Sequence, residues 1–305
     1  MRSAIYAGVN SAVLTPMRND LSVDIDRMAQ HCRWLLANGC DGLGVLGTTG
    51  EANSLGMQER VEVLEGLVQR GISPTRLLPG VGTTAIPDTV ALIRKAAALG
   101  CPGVLVLPPF FYKNPSDDGL VAYFSEIIER AATGTKIYLY HFPAQSAVPF
   151  GVDLVGRLLK AFPNTVRGIK DSSGDIANTK AYIDHFAKDG FEVYCADDST
   201  LLETLEAGGA GCVTGAANVG SAVSARVYAN WDKPGVAEIQ ATLTAIRRAV
   251  ITAPLIPGLK ALLARHSADD SWNNVRPPFT RLSREAAAKL FAAFDACGIT
   301  LARAA

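Results

Sequence analysis

The chain has 305 residues, 49% of them hydrophobic, and its 29 lysines and arginines balance 29 aspartates and glutamates. That length suits one α/β barrel with an extension, and the charge balance excludes a field that would steer the protein to nucleic acid or an anionic membrane, so a small-molecule partner is expected. There is no run of 18 apolar residues, no N-terminal leader pattern and no C-x-x-C pair among the six cysteines, which predicts a cytoplasmic protein in a reducing compartment.

Short apolar runs alternate with longer amphipathic ones eight times along the chain. The predicted strands cover residues 8–14, 42–46, 76–81, 103–107, 136–141, 165–170, 191–196 and 211–214, each followed by a segment with helical spacing. Strands alternating with helices imply a parallel sheet, and eight such units close into a (β/α)8 TIM barrel of about 250 residues. An open doubly wound sheet with fewer strands is the alternative. Gly71, Gly100 and Gly134 stand where helices should stop, and Thr200 with Glu203 has the spacing of a capping box. Beyond residue 235 the strand pattern ceases, and helical stretches follow at about 236–252, 258–264 and 284–296, with a loop rich in Asp, Asn and Pro at 267–278. The chain is therefore divided into a catalytic barrel, residues 1–235, and a C-terminal helical extension, residues 236–305.

In such a barrel the active site is assembled at the C-terminal ends of the strands. The second predicted strand runs into Gly47-Thr48-Thr49-Gly50-Glu51, whose glycines and hydroxyls let N–H groups and side chains converge on a small anion such as a carboxylate. An aromatic loop, Phe110-Phe111-Tyr112, follows the fourth. The fifth ends Tyr138-Leu139-Tyr140-His141; Tyr138 and Tyr140 alternate to one face, so a barrel-facing phenol can relay protons. The sixth places Lys170 after Ile169 at the mouth of the core, where desolvation disfavours an ammonium and a neutral amine can attack a carbonyl to form a Schiff base. Asp197 and Asp198 end the seventh, and Thr214 and Asn218 follow at the eighth.

Rival motifs fail on context. The G-x-G-x-x-G match at 42–47 lies within a strand, and the one at 80–85 has no acidic residue ending the next strand to hold a ribose. His31, His141, His185 and His266 lack metal-ligand spacing, and adjacent Asp197 and Asp198 read as a cap and a substrate contact rather than a Mg²⁺ site. No metal and no cofactor is expected.

The turn 47–51, Tyr140-His141-Phe142-Pro143 and Gly168-Ile169-Lys170-Asp171, in this order and at these separations, resemble the dihydrodipicolinate synthase and N-acetylneuraminate lyase family over essentially the whole chain. The resemblance implies that Lys170 is the Schiff-base lysine and Tyr140 the acid/base phenol. It implies that Thr48 and Thr49, in the turn begun by Gly47, hold a pyruvate carboxylate, and that Val213 lines the pyruvate pocket. Tyr112 would cross a subunit interface to complete a proton relay with Thr48 and Tyr140, in a homotetramer without metal. Two departures bear on substrate. Where the synthases carry an arginine for the aldehyde's carboxylate, this chain has Ala144-Gln145-Ser146; where sialic acid lyases carry an Asp-Glu pair for sugar hydroxyls, it has Asp198-Ser199. Gln145 and Asp198 are thus expected at substrate hydroxyls. The activity implied is a pyruvate-dependent class I aldolase or lyase that cleaves a 2-keto-3-deoxy sugar acid, or a related 4-hydroxy-2-oxo acid, into pyruvate and an aldehyde. A keto-deoxy acid dehydratase, 4-hydroxy-tetrahydrodipicolinate synthase and a non-catalytic regulatory barrel for small acids are the alternatives, and Lys170, Tyr140 and Thr48 together argue against the last.

Overall fold

Seven of the predicted strands form short, almost entirely buried segments: β1 Gly8–Ala12, β2 Gly42–Gly44, β3 Gly103–Val106, β4 Lys136–His141, β5 Val166–Asp171, β6 Glu192–Cys195 and β7 Gly211–Thr214. They belong to a computed structural model that describes residues 4–302. All pair in parallel, in the order β2-β1-β7-β6-β5-β4-β3. The remaining predicted strand, 76–81, is not a regular strand: Leu77 and Gly80 form single bridges to Leu43 and Leu105. Its backbone nonetheless closes the ring. Leu78 and Gly80 donate to the carbonyls of Leu43 and Val45 at 2.9 and 2.8 Å, while Val81 donates to the Leu105 carbonyl at 2.9 Å and Leu105 to the Pro79 carbonyl at 2.8 Å. The ladder is interrupted because Pro79 has no N–H to give β3. The Tyr6 phenol bridges the resulting gap, donating to the Leu77 carbonyl at 2.7 Å and accepting from the Gly103 N–H at 3.1 Å. The molecule is a (β/α)8 barrel with one irregular stave.

Alternation along each strand sends every second side chain toward the barrel axis. Tyr6, Leu105, Tyr138 and Tyr194 pack there. Glu192, buried among them, accepts from the phenols of Tyr138 at 2.9 Å and Tyr194 at 2.6 Å and from Arg167 Nε at 2.8 Å. Burial, and then the Glu192 charge, pushes both phenols far above the tyrosine range, which keeps them neutral donors. Tyr138 is thereby committed to the barrel floor. Its ring fits because a Cβ at Gly103 or Gly168 would stand 2.6 or 2.8 Å from it.

Helices α1 Ile25–Ala37, α2 Met57–Gln69, α3 Ile86–Ala98, α4 Asp117–Ala131, α5 Pro143–Ser146, α6 Val152–Ala161, α7 Ile176–Phe186, α8 Leu201–Glu206 and α9 Ala217–Asn230 alternate with the strands. Gly71 and Gly100 take left-handed φ values of 82° and 90° just beyond α2 and α3. After α4 the left-handed residue is Ala132 rather than Gly134. The Thr200–Glu203 capping box does not form, because the Thr200 hydroxyl donates to the Asp197 carbonyl and Glu203 pairs with Lys180.

Three further helices follow, α10 Val236–Val250, α11 Leu255–Ser267 and α12 Arg284–Asp295, the second longer than its sequence pattern indicated. They are bound to the barrel through the turn after β2. Lys260 of α11 is fully buried, ion-paired to Glu51 and bonded to the Asn274 carbonyl at 2.7 Å, and the second Glu51 oxygen accepts from the Arg276 N–H at 3.0 Å. Lys260→Met leaves the Glu51 carboxylate buried without its cation, so a loss of about 3–5 kcal/mol is expected in urea denaturation. Lys260→Met with Glu51→Gln should recover part of it. An unchanged midpoint in the single variant would show that this pair does not hold the turn.

Candidate active site

A cavity of about 380 Å³ opens at the C-terminal ends of the strands. Its deep end is set by the pairing of β4 with β5, which places Tyr140 opposite Lys170 and His141 opposite Asp171. Alternation turns Tyr140 and Lys170 inward and the other two outward. On the outside, His141 Nδ1 lies 3.0 Å from Asp171, which also accepts from the Ser173 N–H, Asn178 and the Thr179 hydroxyl. Burial works to raise the Asp171 carboxyl, but these hydrogen bonds hold it below the usual carboxylate range. The cluster clamps the two strand ends from behind.

Lys170 is 5% exposed, and its Nζ lies 4.2 Å from the centroid of the Tyr140 ring. Among the described residues its amine has no hydrogen-bond or ion-pair partner. Lys260, equally deep, has both. Since a buried cation is normally paired, the two lysines have different tasks: one holds structure, and the other presents an amine to a cavity. The Tyr140 phenol is 3.2 Å from the Thr48 hydroxyl, a contact either group can donate. Thr49, Val213, Phe142 and Gln145 complete the wall near them. An amine, a phenol and a hydroxyl in sequence can bind a carbonyl compound and move protons about it.

Six sequence-predicted residues, Lys170, Tyr140, Thr48, Thr49, Val213 and Gln145, thus meet around one cavity. Three do not. Gly47 stands behind the wall, bordering a small void with Thr48, Gly80 and Tyr140. Tyr112 is 75% exposed on the loop after β3, edge-on to Phe111 and outside the cavity of its own chain. Asp198 does not face the cavity and corrects the sequence reading. It begins the 3₁₀ turn Asp198–Thr200, and its fully buried carboxylate turns under the chain to accept from the Thr214 hydroxyl. Burial pushes that carboxyl up to about 6. The carboxylate at the cavity is Asp197, which caps the turn by accepting from the Ser199 N–H at 2.9 Å and hydroxyl at 2.6 Å. Asn218 is likewise structural, bonded to His31, the Leu14 N–H and the Ala12 carbonyl.

The strand-end rule missed the other side of the cavity. Arg247 of α10, Leu255 and Ile256 at the start of α11, and Phe279 line it, all from the C-terminal extension. The Pro254–Pro257 pair at the entrance to α11 was the one local sign in the sequence. Among the described residues no group of three or more His, Cys, Asp or Glu is placed to hold a metal ion, and no helix is long and apolar enough to cross a membrane.

The chain is similar in sequence and fold to known proteins. A DapA-like lyase of Chloroflexus aurantiacus is 33% identical over 290 residues, covering 94% of this chain and 96% of its own. The 4-hydroxy-tetrahydrodipicolinate synthase of Bacillus subtilis is 29% identical over 283 residues, 92% of this chain and 95% of its own. Among solved structures, dihydrodipicolinate synthase from Agrobacterium tumefaciens superposes with a TM-score of 0.85 at 32% identity, covering 95% of this chain and 99% of its own. A prophage protein of the dihydrodipicolinic acid synthase family from Escherichia coli K12, in complex with pyruvate, gives 0.88 at 26% identity, covering 97% and 100%. The model of the dihydrodipicolinate synthetase family matches residues 5–297, and the chain belongs to that family, as a carbon–carbon lyase of the aldolase type.

Proposed function

We propose that this lyase works through a Schiff base at Lys170 and cleaves a 2-keto-3-deoxy sugar acid, or a related 4-hydroxy-2-oxo acid, into pyruvate and an aldehyde. The observation that carries the reading is the buried Lys170 amine, without an anionic partner among the described residues, lying over the ring of a tyrosine whose phenol meets Thr48. The pyruvate bound to the Escherichia coli relative supports pyruvate as the shared half. The amine adds to the C2 carbonyl and water leaves, giving an iminium. Tyr140 takes the proton of the C4 hydroxyl as the C3–C4 bond breaks; the electron pair passes into the iminium as an enamine and the aldehyde departs. Protonation at C3 and hydrolysis then release pyruvate and the free lysine. Thr48 and Thr49 hold the pyruvate carboxylate, Val213 packs on its methyl side, and the reaction calls on no metal or cofactor. Tyr112 acts from a neighbouring copy in a homotetramer. The exposure of Phe111 and Tyr112, 71% and 75%, supports an interface there.

Pyruvate followed by borohydride should add one reduced pyruvyl group at Lys170, found by peptide mapping; labelling of another lysine, or none, would falsify the Schiff-base assignment. Lys170→Ala should abolish turnover, and Lys170→Arg should too, because a guanidinium stays protonated.

Tyr140→Phe keeps the ring under Lys170 but removes the phenol, so turnover should fall by about 10²–10⁴-fold. Near-normal turnover would move the proton transfer to another group.

Gln145 lines the cavity where a synthase would need a cation for the carboxylate of aspartate semialdehyde. Charged hydrogen bonds are worth about 1.5–3 kcal/mol each, so pyruvate release from a keto-deoxy sugar acid should exceed condensation with aspartate semialdehyde by about tenfold or more in kcat/KM. Gln145→Arg should narrow the difference. A wild-type preference for aspartate semialdehyde would make the protein a synthase.

A further inference from the structure

Arg247 has no counterpart among the residues that the barrel's own strand ends supply. It sits on α10, seven residues beyond Gln240 and so on the same face. Gln240 docks that face onto the turn after β6, donating to the Asp198 and Ser199 carbonyls at 3.0 and 3.2 Å and accepting from the Leu202 N–H at 3.1 Å. Arg247 is thereby delivered to the cavity that holds Lys170. Its Nε is buried without a hydrogen-bond partner among the described residues, 3.5 Å from an Asp197 oxygen already occupied by Ser199. Among the described residues none of the guanidinium donors is hydrogen-bonded, although such a group carries five. A guanidinium at the cavity wall whose donors have no protein partner among the described residues is complementary to oxygen atoms of whatever enters it.

The charges nearby decide which oxygens. Arg247 stands beside Asp197, with the Asp198 carboxyl behind them, so the corner offers no surplus positive charge to a second carboxylate. It offers donors from Arg247 next to an acceptor from Asp197, and a hydroxyl both accepts and donates. We propose that Arg247, together with Asp197, is a specificity determinant that reads the hydroxyls of the substrate's distal half, selecting 2-oxo acids with a polyhydroxylated, uncharged tail. This rests on the Schiff-base reading above and names the tail that the site takes.

The test measures pyruvate release by wild type, Arg247→Met and Arg247→Lys from three acids that share carbons 1–4. One is a 4-hydroxy-2-oxo acid with no further hydroxyls, one a 2-keto-3-deoxy sugar acid with distal hydroxyls, and one its counterpart ending in a carboxylate. Arg247→Met should lower kcat/KM on the hydroxylated acid by about ten- to a hundred-fold, mainly through KM, and on the short acid by less than about threefold. Arg247→Lys, which keeps the charge and the stem, should fall between. Equal losses on the short and hydroxylated acids would reduce Arg247 to a structural partner of Asp197. A larger loss on the carboxylate-ended acid would make it an anion reader, and no loss on any acid would remove it from the site. Borohydride trapping of pyruvate on the same three proteins separates the two claims. If all three label at Lys170 while the losses are not graded, the Arg247 assignment alone fails; if wild type does not label, both fall.

Discussion

The parallel register of β4 and β5 is the constraint from which the site follows. Pairing Tyr140 with Lys170 puts a phenol ring and an amine side by side on the inner face, and it puts His141 beside Asp171 on the outer face. A slip of one residue would send the amine out among the helices and the Asp171 carboxylate inward. The hydrogen bonds from Ser173, Asn178 and Thr179 to Asp171 oppose such a slip, since each would lose a buried partner. The polar network behind the sheet therefore does for position what the cavity does for chemistry.

The barrel floor separates two tyrosines that the chain presents as equivalents. Tyr138 and Tyr140 share a face of β4, yet Glu192 takes the Tyr138 phenol while the Tyr140 phenol meets the Thr48 hydroxyl at the mouth. A phenol bound to a buried carboxylate is fixed as a donor; one facing Thr48 can exchange protons. The two buried lysines divide in the same way. Lys260 is held by Glu51 and joins the C-terminal helices to the turn that carries Thr48 and Thr49, whereas Lys170 is unpaired among the described residues. Through that turn the stability of the extension and the placement of the threonines are one problem. The extension also covers the cavity, with Arg247, Leu255, Ile256 and Phe279 facing the strand ends. In the proposed reaction the barrel handles the pyruvate half and the extension meets the variable half.

Most of the fold and the deep half of the site were legible in the sequence by itself. Strand–helix alternation and apolar runs determine a parallel barrel, because a β-strand buried on both faces needs a crossover helix and an unbroken apolar segment. The strand-end rule then placed Lys170, Thr48 and the Tyr138–Tyr140 pair at one mouth without coordinates, since closing a parallel barrel collects those ends, and the family resemblance chose Tyr140 of the pair. Tertiary structure decided the rest. Pro79 turned a predicted strand into a stave of isolated bridges, because a missing N–H matters only once the neighbour that needed it is known. Asp197 rather than Asp198 reached the cavity because the cap and the first residue of a 3₁₀ turn point in different directions, and composition does not say which points inward. Arg247 was invisible for a similar reason: nothing local in α10 marks a residue whose meaning comes from Gln240 docking the helix some fifty residues from the strand it completes. Local periodicity encodes which face of an element is buried; which distant side chain fills the corner of a cavity is set only when the elements pack.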